Sequence, residues 1–211
     1  MGAYVESVNT GRVREVPWGS LGRSAIDKRP VEGSLSVGSY GLDGDEIGDL
    51  EHHGGLDQAV YAYAAEDLAA WSDELGREVM PGQFGENLTT RGLDVTGAVV
   101  GERWRIGTAL LEVCAVRIPC RVFAGFVDEQ RWLKRFTERG VPGAYLRVVA
   151  PGALCVGDAV EVVDVPVHGV TIGLTFRALT TDRALLPRLL DAPALASKAR
   201  TKAERYVAAQ V

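Results

Sequence analysis

The chain has 211 residues, 46% hydrophobic and 24% charged, with a formal net charge of −5. That length suits one main core with room for a small appendage, and the acidic balance excludes a broad phosphate-tracking surface, so no nucleic-acid polymer is expected as partner. No apolar run approaches the roughly 20 residues of a membrane span, and the opening residues lack a signal-peptide core, so a cytosolic protein without membrane attachment is expected.

Short strand-like runs bounded by Gly, Pro and Asp fill the first 165 residues. They are 5–16, 23–27, 35–40, 59–63, 103–106, 110–116, 144–150 and 159–163. Val100-Gly101-Glu102 and Val156-Gly157-Asp158 each lead into one of them, and such turn-then-strand units suit a small closed or nearly closed β-barrel. Ala65 to Leu75 places Leu68, Trp71 and Leu75 at helical spacing, and Arg121 to Arg139 reads as two short helices. The character changes near Pro166. Three helical patches follow, 171–179, 182–190 and 194–209, with Asp182 and Asp191 as candidate N-caps and Pro193 near a first turn. Helices this short bury little alone, so residues 166–211 are expected as a helical appendage to a barrel domain spanning 1–165. The appendage suits docking of a partner or another protomer, although an amphipathic stripe ordinarily packs on its own domain.

Three polar, glycine-laced segments carry the candidate chemistry. The first, from Gly44 to Asp57, offers Asp45, Asp49, His52, His53 and Asp57. A metal reading stands beside a glycine-rich loop braced by Asp hydrogen bonds. Adjacent histidines in an extended chain point opposite ways, so one of them serves a site, and Gly54 and Gly55 favour His53. The second, Gly85-Glu86-Asn87-Leu88-Thr89-Thr90, carries groups that match the edges of a heterocycle; its plain alternative is a hairpin turn. Neither segment is a phosphate loop. The third, Arg117-Ile118-Pro119-Cys120, ends in a thiol flanked by Arg117 and Arg121, with no partner base nearby in sequence. Cys114 and Cys155 sit in apolar runs and read as buried small hydrophobes. Arg23, Lys28, Arg29, Arg117 and Arg147 come from separate strands and make an anion pocket only if the barrel converges them.

The order of Arg23-Ser24-Ala25-Ile26-Asp27-Lys28, Gly41 to Asp45, His53 to Tyr63, Phe84 to Leu88, Arg117 to Cys120 and Gly143 to Val148 resembles the MOSC family, the molybdenum-cofactor sulfurase C-terminal domain. The likeness is to its stand-alone bacterial branch with a three-helix C-terminal appendage, and it covers nearly the whole chain. It implies a β-barrel that holds the molybdenum cofactor, a molybdenum–pterin group, with Cys120 as metal ligand or sulfur carrier. Carried over by position, Arg23, Ser24 and Lys28 hold the cofactor phosphate. Arg117 and Arg147 are further cofactor contacts, Asn87 and Thr89 face the pterin, and His53 and Asp45 lie near the metal as catalytic groups. The implied function is an oxidoreductase that reduces N-hydroxylated compounds, of the hydroxylaminopurine or amidoxime type, with electrons from an external donor protein. A persulfide-transfer protein using Cys120 and a non-catalytic cofactor-binding module are the rival readings.

Overall fold

The computed structural model describes residues 2–49 and 53–210. Strand β1 (Tyr4–Gly11) is followed by β2 (Arg14–Glu15), β3 (Arg23–Ser24), β4 (Lys28–Pro30), β5 (Leu35–Gly38) and β6 (Gly41–Leu42). Next come β7 (Val60–Ala64), α1 (Ala65–Leu75), β8 (Leu88–Arg91), β9 (Arg103–Ile106) and β10 (Ala109–Val116). Helices α2 (Arg121–Val127) and α3 (Trp132–Arg139) precede β11 (Ala144–Ala150), β12 (Gly152–Leu154) and β13 (Val160–Asp164). The chain closes with α4 (Ile172–Thr180), a 3-10 stretch over Arg183–Asp191, and α5 (Ser197–Ala208).

Eight strands form one sheet in the order β13-β9-β10-β11-β7-β8-β1-β4. The start of β1 meets the approach to β13: the Val5 amide donates to Asp158 at 2.9 Å and the Val160 amide to Ala3 at 2.9 Å. These bonds join the two sides of the sheet into a barrel, so both strands escape exposed edges. Strand β4 hangs from the end of β1 and brings Lys28 opposite Gly11. Strands β7 and β8 pair in parallel, which requires the crossover that α1 supplies. The segment expected as a loop or hairpin turn around Thr89 is therefore partly strand, as its β-branched residues favour. The expected strand over 23–27 breaks after Ser24, because the Ser24 hydroxyl accepts the Ile26 amide at 3.1 Å.

Helix α1 buries Ala65, Leu68 and Trp71 and stops at Gly76, whose φ of 64° is the left-handed conformation glycine adopts freely. Trp71 stacks on Phe136 at 6.1 Å and lies 4.7 Å from Trp132, while its indole N–H donates to the Tyr63 hydroxyl at 2.9 Å. This aromatic cluster joins α1 and α3 to the barrel wall. Trp71→Ala is expected to cost about 3–5 kcal/mol, read as a lower denaturant midpoint at unchanged slope.

The C-terminal segment shares the barrel's core. Ile172, Phe176, Leu186 and Leu189 belong to the same buried cluster as Val5 and Leu88. Thr171 caps α4 by accepting the Leu174 amide at 3.1 Å, and Asp182 accepts the Ala184 amide at 3.2 Å. Two expectations change here. The middle element is a 3-10 stretch with Pro187 inside it, since proline lacks the N–H an α-helix would use. Asp191 closes that stretch rather than capping α5, whose N-cap is Ala196, beyond Pro193.

Candidate active site

Several loops meet at one end of the barrel. They are the turn at Asp45, the 3-10 turn Leu56–Gln58 before β7, the approach to β8 at Gly85 to Asn87, and the exit of β10 into α2. Around them lies a cavity whose lining includes Lys28, Asp45, His53, Asn87, Arg117 and Cys120, with Arg23 and Ser24 also on its wall. Gly85 makes the convergence possible. Its φ is 74°, and a Cβ there would stand 3.1 Å from Ile26 and 3.4 Å from an Arg117 nitrogen.

One wall is a closed charge network. The Lys28 ammonium bonds both Asp45 carboxylate oxygens, and Asp45 also accepts the Gly11 amide at 2.8 Å and the Asn87 carboxamide at 2.8 Å. Asn87 donates to the Asn9 carbonyl at 3.2 Å and accepts the Tyr61 amide at 3.1 Å. Burial pushes the Lys28 ammonium down, and Asp45 opposes that shift. Asp45, read from sequence as a group near the metal, spends its oxygens on this network. Asn87 lines the cavity, but both amide donors and its oxygen bond to protein.

Another part of the lining is electropositive. Arg117 is buried; one terminal nitrogen donates to the Phe84 carbonyl at 2.8 Å, and its Nε has no partner among the described residues. Its guanidinium carbon lies 4.2 Å from the Phe123 ring centre and 5.2 Å from that of Tyr61. Burial alone would push this cation down, but Tyr145, Tyr61, Cys120 and Glu86 outweigh it and favour the charge. No carboxylate forms an ion pair with Arg117 among the described residues. A buried guanidinium left in this state calls for an anion.

Cys120 supplies one. It is half-buried at the N-cap position of α2. Burial raises its thiol pKa, but a His53 hydrogen bond, the Arg117 charge and the Phe123 amide outweigh that and bring it down to about 7. The Phe123 amide acts on the sulfur without closing a capping hydrogen bond. The base that the sequence did not place near Cys120 therefore arrives from a loop 67 residues upstream. As pH climbs through that range the thiolate fraction rises, so iodoacetamide labelling of Cys120 is expected to show a midpoint near pH 7. His53→Ala is expected to move that midpoint upward, checked by peptide mass spectrometry.

Two expected cofactor contacts lie elsewhere. The Thr89 hydroxyl donates to Glu86 at 3.0 Å and accepts from Asn9 at 3.2 Å, and Thr89 is buried and absent from the cavity wall. Arg147 is engaged by Asp57 at 2.8 Å and Glu112 at 3.2 Å, away from the cavity. Arg29 is exposed and pairs with Asp27 at 2.7 Å. Cys114 is buried as expected and its thiol is pushed up to about 12 by burial. Cys155 is only part-buried, its thiol donating to Asp158 at 3.4 Å. His52 lies outside the described residues. Sequence reasoning did not single out Tyr61, Tyr145 or Gln58, which line the cavity; Tyr61 and Tyr145 are direct cross-strand partners with ring centres 4.8 Å apart.

The donor set decides what kind of metal site fits. Among the described residues no three His, Cys, Asp or Glu side chains gather to hold an ion. One soft thiolate beside a buried cation that no carboxylate pairs among the described residues fits a metal that brings its other ligands on an anionic organic group.

The model of the MOSC domain matches residues 49–161. Protein YiiM of Escherichia coli is 34% identical over 76% of this chain and 72% of its own length. The crystal structure of YiiM from Geobacillus stearothermophilus superposes with a TM-score of 0.81 at 26% identity, covering 97% of this chain and 98% of the other. A protein of Gibberella moniliformis named "Reductase" is 31% identical over 75% of this chain, which spans only 29% of the fungal protein. No helix among the described residues is long and apolar enough to cross a membrane.

Proposed function

The chain belongs to the MOSC domain family, and on that premise we propose that it binds the molybdenum cofactor through Cys120 and reduces N-hydroxylated compounds with electrons from an external donor protein. The observation that carries this reading is the pairing of a low-pKa Cys120 with His53 beside a buried Arg117 whose Nε has no partner among the described residues. The reductase name of the fungal relative supports the reaction class.

Each residue has a physical task. Cys120, about half thiolate at neutral pH, offers a metal a soft ligand. Arg117 keeps a fixed positive charge against the anionic ligand set without reorganising. Ser24 and Arg23 on the wall, with Lys28 held by Asp45, suit a phosphate. Glu86 accepts the Gly82 amide at 2.6 Å and the Phe84 amide at 3.0 Å, which fixes the carbonyl that holds Arg117. When bound, the cofactor would supply the two-electron exchange that removes the N–O oxygen. In this reading His53 gives a proton to that departing oxygen.

The test is reconstitution with the molybdenum cofactor, followed by an N-hydroxylated purine and a chemical reductant. Formation of the amine supports the proposal. Persulfide on Cys120 in metal-free protein, with no amine formed, transfers the assignment to sulfur carriage. Tight cofactor binding without turnover leaves a binding module.

A further inference from the structure

The loop that carries His53 is poorly suited to hold itself in place. Gly54 and Gly55 follow with φ of 79° and 81°, and two glycines in succession give up a large entropy when fixed. Among the described residues the His53 amide donates to the Asp49 carbonyl at 3.0 Å, the Gly54 amide to the Gln58 side chain at 3.0 Å, and the Gln58 amide to the Gly55 carbonyl at 3.1 Å. Charged anchors come from outside it, and they converge on Asp57.

Arg147 of β11 donates through Nε at 3.1 Å and a terminal nitrogen at 2.8 Å to one Asp57 oxygen. That terminal nitrogen also reaches the Ala194 carbonyl at 3.1 Å, and the other donates to Glu112 at 3.2 Å. The second Asp57 oxygen accepts the Ser197 amide at 3.3 Å, in the first turn of α5. The Asp57 carbonyl accepts the buried Cys114 thiol at 3.2 Å, and the Cys114 carbonyl accepts the Ala196 amide at 2.9 Å. One carboxylate thus ties the site loop to the barrel wall and to a segment beyond residue 161, where the family match ends. A part-buried, forked and networked pair of this kind has geometry that isolated surface pairs lack.

We propose that Asp57 and Arg147 are positioning residues, through which the segment from Ala194 to Ser197 locks the His53 loop against Cys120. The cavity is then complete only with the C-terminal helices docked. This rests on His53 and Cys120 being the reacting pair, but its test needs neither cofactor nor substrate.

The test compares full-length, cofactor-free wild type with Arg147→Met, Arg147→Lys, Asp57→Asn and Cys120→Ala. Two quantities are read: amide exchange across 53–58, and the long-range nitrogen–proton spectrum of the His53 imidazole, assignable among three histidines. Arg147→Met is expected to speed exchange in that loop about tenfold and to move the His53 signals to where Cys120→Ala puts them. Arg147→Lys should recover part of both effects, and Asp57→Asn combined with Arg147→Met should be no worse than the worse single change. Wild-type His53 signals and loop exchange in Arg147→Met, with only a lower melting temperature, would overturn the proposal. If Arg147→Met does not fold, Asp57→Asn and Arg147→Lys are read by the same two quantities and decide it alone.

Discussion

Cys120→Ala is expected to abolish N-reduction, by at least about a hundredfold, while changing stability by less than about 1 kcal/mol. The two effects separate because the sulfur is part-exposed and closes no capping hydrogen bond, so little packing is lost with it. His53 does not substitute for the thiolate, since its imidazole is a harder ligand and already belongs to the pair. Cys120→Ser keeps the shape but replaces the thiol with a hydroxyl that stays protonated at neutral pH, and it is expected to be as inactive. Turnover per folded molecule, with folding followed by circular dichroism, checks both variants.

Arg117→Met is the second large effect, and its signature is a loss of function without a matching loss of stability. The guanidinium is buried, donates to the Phe84 carbonyl, and among the described residues leaves its Nε without a partner and pairs with no carboxylate. Burying such a charge is costly, so removing it returns free energy. Against that stand the Phe84 bond and the ring contacts to Phe123 and Tyr61, each worth about 1 kcal/mol. These terms offset, and the melting curve is expected to move by no more than about 1 kcal/mol in either direction. Cofactor affinity is expected to fall at least tenfold. The labelling midpoint of Cys120 should rise, because the Arg117 charge is one of the causes that bring it to about 7. A variant that unfolds, or one that binds cofactor normally, would show that Arg117 is a structural residue.

How much of this was legible beforehand follows from the range of each interaction. Strands β9 and β11 and helix α1 fall where periodicity put them, because burial on one face is a local pattern. Strand β8 was less legible: Gly85 ahead of it and its own polar residues look like a turn, and only the α1 crossover reveals it as a wall. Lys28, His53 and the Arg117–Cys120 segment lie in separate motifs, and the barrel does gather them on one cavity. Arg147 shows the limit. It lies two residues beyond Tyr145 on the same face of β11, but that step of roughly 7 Å brings it to Asp57 and Glu112 instead of the cavity. The partners that claim Arg147 come from the 3-10 turn and β10, and no pattern within β11 points to them. The His53–Cys120 contact is of the same kind, a tertiary pairing with no sequence signature.

The central claim is that the Cys120 sulfur holds the metal, and the molybdenum content of protein purified from cofactor-replete cells tests it most directly. Wild type is expected to carry close to one molybdenum per chain and Cys120→Ala almost none, with His53→Ala in between. Equal molybdenum in wild type and Cys120→Ala would contradict the claim.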